Sequence, residues 1–333
     1  MPEVGEQNPA AHALLSRWED PSTPGALRAW GETATGEELF SFRDPSLPQP
    51  LMGVTELFTL ALVLRDIDRG ALALNTLISD VLPQAVASGL CVIGTTDYTD
   101  TITVGHLLSH QSGISDYLDP PGKSVRSLRL QMITTDRRWN TAEALEIARH
   151  YPGAFVPGDA RASARSATNY LLIGELLRET TGMSLADLIR LRIVSPLGLK
   201  KTYLFGPDGF DSYFSFEPLT RGSSILRIPQ ALSSLGPSGG VISTPREAVA
   251  FLQALWGGAL FDPSWRERIL EKPESLGFSP LARTSGNIIG YTGINGVSVG
   301  INTRTGSVGF LALNQWASAQ NSAKRLAKLL TIP

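Results

Sequence analysis

The chain is short of the groups that would mark several functional classes. It holds one cysteine, Cys91, in 333 residues, which excludes an intrachain disulfide. A lone free cysteine usually serves as a small buried apolar residue, and that role is expected here. Histidine is scarce too: His12, His106, His110 and His150 are the full set. His106 and His110 have the i, i+4 spacing that can grip zinc, but Leu107 follows His106 where a zinc hydrolase helix needs glutamate. No metal and no cofactor are therefore expected. There is no basic excess: 29 Lys and Arg against 31 Asp and Glu give a net charge of −2. That argues against a nucleic-acid partner, which needs a positive footprint. Long hydrophobic runs are missing as well. The longest, Leu57 to Leu64, is broken by Thr59 and is far too short to span a membrane. The opening Met-Pro-Glu-Val-Gly-Glu-Gln has neither the basic start nor the apolar core of a secretory leader, so a cytoplasmic location is expected, with no membrane association. No internal repeat or low-complexity segment is found.

What remains is an ordinary globular composition, with 42% apolar and 18% charged residues. The length suits one large domain or two interwoven ones. Residues 1–22 read as an N-terminal arm or short helix. Residues 25–31 and 36–42 alternate about a Thr-Gly turn and predict a hairpin. From Val54 to Asp68 apolar residues recur at helical spacing and also occupy the opposite face, which predicts a helix buried on most sides and ended by Gly70. Thr103 and Thr141 are read as caps of two helices, and Ser184 as the cap of a third, with Asp187 at capping-box distance. Ser166 to Thr181 predicts an amphipathic helix closed by Gly182. Thr244-Pro245 opens a helix to Trp256, and 318–331 a final one. Between them 287–293, 297–303 and 308–314 predict three strands joined by turns at Asn295-Gly296 and Thr305-Gly306. Strands at both chain ends with helices between them suggest one antiparallel sheet built from the termini.

Several segments in this order resemble a known superfamily. Val104-Gly-His-Leu-Leu-Ser-His-Gln-Ser-Gly-Ile114, Asn169-Tyr-Leu-Leu-Ile-Gly174 with Thr181-Gly182 and Pro196-Leu-Gly-Leu199, Gly239-Gly-Val-Ile-Ser-Thr244, and Tyr291-Thr-Gly293 are similar to stretches of the serine β-lactamases and penicillin-binding proteins, in particular the class C, DD-peptidase and esterase branch. The resemblance runs from about residue 24 to 315. It implies an α/β (α+β) fold with an antiparallel sheet flanked by helices, from 23–70 and 236–333, and a mainly α-helical lobe from 71–235.

The same resemblance exposes a missing site. Enzymes of that branch carry Ser-x-x-Lys at the start of a buried helix, where this chain reads Gly53-Val-Thr-Glu56. No Ser-x-x-Lys occurs elsewhere in the chain. Counting back from Asn169-Tyr170, the tyrosine of the Tyr-x-Asn motif falls on Arg165 and its asparagine on Ala167. Counting forward from Pro157-Gly158 gives Ser163 and Arg165 instead. Tyr291 stands where the branch has histidine or lysine. Glycine has no side chain to acylate, so a covalent acyl-enzyme at this position is excluded.

Two readings follow. In one, Glu56 and Arg165 form an ion pair that repairs a dead site, leaving a pseudoenzyme that binds a ligand or a protein partner. In the other, the pocket keeps its shape and changes its chemistry. The backbone N–H groups of Gly53 and Ile294 polarise a carbonyl, Glu56 serves as general base and Tyr291 as acid, and a small carbonyl-containing metabolite undergoes elimination, isomerisation, cyclisation or water-driven hydrolysis without a covalent intermediate. Thr292 and Gly293 would border that substrate. In this fold a long loop often walls the pocket, which makes Phe205, Phe210, Tyr213, Phe214 and Phe216 candidates for an apolar wall, with mutual packing as the alternative. Gly236-Pro-Ser-Gly-Gly240 matches the G-x-S-x-G pattern of another hydrolase fold, but it lacks the strand and helix that pattern needs, so Ser238 is not expected to be a nucleophile. His110 is read as a structural histidine. A third class, a scaffold acting through its surface, needs a large exposed apolar patch that sequence does not display.

Overall fold

A computed structural model describes residues 8–19, 27–122, 127–266, 282–316 and 319–332. The rest of the expected N-terminal arm (1–7 and 20–22), and residues 25–26 and 318 of the expected elements, lie outside them; within the arm, Pro9–Trp18 is a helix capped by Asn8.

Among the described residues the main sheet has six antiparallel strands in the order Ala282–Ser285, Ile288–Thr292, Val297–Asn302, Val308–Ala312, Arg28–Glu32 and Glu38–Phe42. Strands from the two chain ends meet at its centre, with Trp30 opposite Phe310 and Gly31 opposite Gly309. The edge strand Ala282–Ser285 was not foreseen from the sequence.

A row of glycines crosses this sheet. Gly290, Gly300, Gly309 and Gly31 sit directly opposite one another on four successive strands. The row leaves a shallow trough on one face. A Cβ added to Gly309 would stand 3.0 Å from Leu326 and from Phe40, and one on Gly300 would stand 3.3 Å from Leu326. The helix Ala319–Leu329 therefore lies against backbone, with Leu326 and Leu330 buried over the trough.

The helix Thr55–Asp68 carries eleven buried residues in fourteen, as expected for a helix enclosed on most sides. Asp66, buried with its neighbours, is matched by Arg192 at 2.5 Å. Cys91 is fully buried, and burial pushes its thiol up to about 11, so it is an inert core residue.

The middle of the chain holds the helices Val104–Leu108, Leu128–Thr134, Thr141–Arg149, Ala167–Thr181 and Leu185–Ile189. Thr103 and Ser184 cap theirs through His106 N and Asp187 N. The cap of Thr141–Arg149 is one residue earlier than expected: the Asn140 side chain accepts from Glu143 N at 2.9 Å, and Thr141 is the first helical residue. This region is not purely helical. Tyr203–Leu204 pairs with Val241–Ser243, which also pairs with Gln49–Pro50, so a small second sheet ties the lobe to the segment before Gly53. Among the described residues no helix is long and apolar enough to cross a membrane.

Candidate active site

The site forms where three segments converge on the start of Thr55–Asp68. The first is Pro50–Val54. Its course is fixed by Leu51 N donating to Val241 O (2.9 Å), by Val241 N donating to Thr55 Oγ1 (3.1 Å) and by Asn295 Nδ2 donating to Pro50 O (2.9 Å). Met52 takes a left-handed backbone conformation with φ +48°, which strains a residue with a side chain. The strain turns the chain into the helix so that Gly53 faces the cavity.

The second segment is Tyr291–Asn295. Gly293 is needed at the crossing: an added Cβ would lie 2.8 Å from Asn295 Oδ1, 3.0 Å from Leu51 O and 3.1 Å from Gly53 N. Gly53 and Ile294 both line the resulting cavity.

The third segment brings Arg165. Ala164 N donates to His110 O at 3.0 Å and Ser166 N to His110 Nδ1 at 3.3 Å, which pins the approach to Ala167–Thr181. Asn169 Nδ2 lies 3.0 Å from the same ring nitrogen, and Ser112 Oγ donates to Asn169 Oδ1 at 2.6 Å. Two N–H donors on Nδ1 assign it as the acceptor and leave the imidazole proton on Nε2.

Glu56 is the centre of the arrangement. It is 2% exposed, and it sits in the first helical turn, where the helix dipole favours a negative charge. Tyr291 Oη donates a hydrogen bond to Glu56 Oε2. The same oxygen faces Arg165 Nη2 at 3.3 Å and His110 Nε2 at 3.7 Å. Arg165 in turn places Nη1 3.4 Å from Thr292 O and Cζ 5.1 Å from the Tyr291 ring centre. Its side chain is 49% exposed, so the guanidinium is loosely held. Tyr170 and Tyr117 lie behind the carboxylate. Burial pushes both phenols well above their ordinary range, reinforced at Tyr170 by the charge of Glu56 and at Tyr117 by Asp116 and then Glu56, so both are neutral and neither is a base.

Above this floor opens a cavity of about 370 Å3. Gly53, Glu56, Arg165, Thr292 and Ile294 are among its lining residues. Ala167 lines it as well, which agrees with the register counted back from Asn169-Tyr170. Tyr291 touches Glu56 but is not itself in the lining. Sequence reasoning missed most of the remaining wall: Met52, Leu118, Met132, Leu235 and Trp316 on the apolar side, and Asp116, Asp119 and Arg129 on the polar side. Arg129 pairs with Asp119 at 2.8 Å, and burial raises the Asp116 carboxyl above the usual range. Ser238 also lines the cavity, with its hydroxyl committed to Leu235 O at 2.9 Å.

The expected aromatic wall is not at this cavity. Phe205, Phe210, Tyr213 and Phe216 pack against one another, with Phe205 and Phe216 edge to face at 5.7 Å between ring centres, and Phe214 is 79% exposed. Among the described residues no group of three or more His, Cys, Asp or Glu is arranged to hold a metal ion.

The family model for beta-lactamase matches residues 48–331, most of the chain. This chain belongs to the beta-lactamase family. Among curated relatives, penicillin-binding protein 4 of Amycolatopsis lactamdurans is 30% identical over 188 residues, 56% of this chain and 39% of that protein. The chain thus aligns with well under half of that relative. Among solved structures, D-amino acid amidase from Ochrobactrum anthropi SV3 superposes with TM-score 0.74 at 19% identity, covering 96% of this chain and 99% of that one. A D-stereospecific amidohydrolase from Streptomyces sp. gives 0.72 at 20% identity, over 96% and 98% of the two chains. EstCE1, a hydrolase with promiscuous acyltransferase activity, gives 0.74 at 12%, over 96% and 97%. At these identities the superpositions establish the fold of this family member. They do not establish its activity.

Proposed function

We propose that this beta-lactamase-family chain is a non-acylating enzyme that acts on a small carbonyl-containing molecule by general acid/base chemistry. Gly53 takes the place of the nucleophile and offers only its backbone N–H. The observation that carries the reading is Glu56, a buried carboxylate hydrogen-bonded to the Tyr291 hydroxyl and yet lining a cavity of about 370 Å3. A site repaired only for stability has no reason to keep that space.

In this reading the substrate carbonyl oxygen lies toward the N–H groups of Gly53 and Ile294. Glu56 takes a proton from the carbon beside the carbonyl, and the C–H electron pair moves to the oxygen. The two N–H groups stabilise the enolate charge. Return of the proton at another position gives an isomer, and expulsion of a β-substituent gives an elimination product. Tyr291 holds Glu56 in place through its hydrogen bond, and Glu56 itself gives back the proton it took.

The test uses 4-phenyl-2-butanone and ethyl phenylacetate in D2O, followed by proton NMR. The native protein is expected to exchange hydrogens beside the carbonyl faster than buffer, and Glu56→Gln to lose that exchange with an unchanged melting temperature. No exchange above buffer in the native protein would overturn the proposal.

A binding-only reading has one observation in its favour. The Arg165 guanidinium occupies the volume a side chain on Gly53 would need, with Nη2 2.3 Å from the added Cβ. It predicts no exchange, and a lower melting temperature for Glu56→Gln.

A further inference from the structure

Arg165 has no role in proton transfer, yet its charge stands half-exposed at the floor of the cavity. A guanidinium has five N–H donors in one plane. Here Nη2 approaches Glu56 at 3.3 Å and Nη1 approaches Thr292 O at 3.4 Å, both long for charge-assisted bonds. Glu56 holds the Tyr291 hydroxyl as a hydrogen-bond donor and has the His110 Nε2 proton nearby, so it is not dependent on Arg165 alone. The guanidinium therefore has donors to spare, and they stand in the corner bordered by Gly53.

We infer that Arg165 reads a carboxylate, so that the ligand of this site is an oxo acid: a carbonyl oxygen toward the Gly53 and Ile294 N–H groups, a carboxylate on Arg165, and an apolar body along Met52, Leu118, Met132 and Trp316. The inference rests on the reading that this cavity is the ligand site, and it names the chemical class. Charge limits the anion. The lining carries Glu56, Asp116 and Asp119 against Arg165 and Arg129, and Arg129 is already paired with Asp119. With Glu56 faced by Arg165, one carboxyl of the lining, Asp116, has no cation beside it there, so a doubly charged phosphate meets more repulsion than a monoanion that draws on the loosely held Arg165. The cavity of about 370 Å3 takes a ligand of the size of an aryl-substituted oxo acid.

The test compares 2-oxo-4-phenylbutanoate with its methyl ester by isothermal titration calorimetry. The two share the carbonyl and the apolar body and differ only in the charge. The native protein is expected to bind the acid roughly ten-fold or more tighter than the ester, as one charge-assisted contact implies. Arg165→Gln should bring the acid down to the affinity of the ester and leave the ester unchanged, and Arg165→Lys should keep part of the preference. Equal affinities in the native protein, or a preference that survives Arg165→Gln, would overturn the inference while leaving the carbonyl site standing. Failure of both compounds to bind would remove both.

Discussion

Gly53→Ser tests the whole arrangement, because on the reading proposed above it places a nucleophile in a site whose other groups are set against it. Gly53 has no left-handed φ, so the backbone accepts serine without strain. The obstacle is the new Cβ, which lies 2.3 Å from Arg165 Nη2 and 3.4 Å from Gly293 Cα. Backbone blocks retreat on the Gly293 side, so the guanidinium must withdraw by about 1 Å to reach ordinary contact distance. That lengthens its 3.3 Å approach to Glu56 to roughly 4.3 Å, and at an effective dielectric constant of ~20 the lost attraction is about 1 kcal/mol. Arg165 is half-exposed and partly screened by solvent, so the measured cost should lie at or below that figure. A chain of this size should then melt at most a few degrees lower, since ~1 kcal/mol corresponds to roughly 2–4 °C in large domains. The serine should be inert. On the reading proposed above, Glu56 stands where an acylating site has its lysine, and its Oε2 is already hydrogen-bonded by Tyr291 and faced by Arg165. A fluorescent penicillin followed by gel and intact-mass analysis is expected to leave Gly53→Ser unlabelled. Stoichiometric labelling of the single variant would refute this account of the site. So would a melting temperature loss well above a few degrees, which would show that the Glu56–Arg165 contact bears far more of the stability than its geometry allows.

Two further outcomes follow from the same geometry. Gly293→Ala should cost about 1–3 kcal/mol by overpacking, because its Cβ meets Asn295 Oδ1, Leu51 O and Gly53 N within 3.1 Å, and urea unfolding with an unchanged midpoint would count against the crossing described above. His106 should add an acid-sensitive component to stability. Burial lowers the pKa of its imidazole, more than its backbone contact with Thr101 raises it, and Nδ1 accepts from Thr103 N at 3.3 Å. The folded-state value therefore lies below the ordinary one, so this contribution is present above about pH 6.5 and is lost as the pH falls and the unfolded chain takes up the proton first. The decline in melting temperature from about pH 7 to 5.5 should be shallower in His106→Gln, whose side-chain oxygen can accept the same bond; parallel curves would contradict it.

The elements that sequence displays best are those whose signal is local. The helix Thr55–Asp68, the strands Ile288–Thr292, Val297–Asn302 and Val308–Ala312 and the Thr244-Pro245 helix start each carry their periodicity, cap or turn within one window. At the candidate site Gly53 and Glu56 are legible through the family resemblance of the segments around them. Arg165 is legible only through Asn169-Tyr170, and its loop offered a second register. What was not legible depends on tertiary geometry. Asp116 and Asp119 come from one loop, Arg129 from the helix Leu128–Thr134 and Trp316 from the segment after Val308–Ala312, with no shared spacing, and only the folded chain brings them to one cavity. The aromatic cluster had the right composition for a pocket wall, but composition does not say whether rings face a cavity or one another. The glycine row is invisible in sequence because Gly290, Gly300, Gly309 and Gly31 become a row only through strand pairing across the two chain ends.

The groups at the floor of the cavity are also mutually dependent, and this bears on what kind of site it is. Arg165 can lie where it does only because residue 53 has no Cβ, and Glu56 can be 2% exposed only because Tyr291, Arg165 and His110 surround its oxygen. Replacing Glu56 by lysine alone would set a second cation 3–4 Å from Arg165, in place of an attraction, and replacing Arg165 by tyrosine alone would leave Glu56 without its cation. Each of these single replacements is therefore opposed by the residues that remain. Gly53, Glu56, Arg165 and Tyr291 thus fit one another closely, and three of them still border a cavity. That mutual fit is the physical reason to look for a ligand at Gly53, Glu56, Arg165 and Tyr291 before looking for one elsewhere on the molecule.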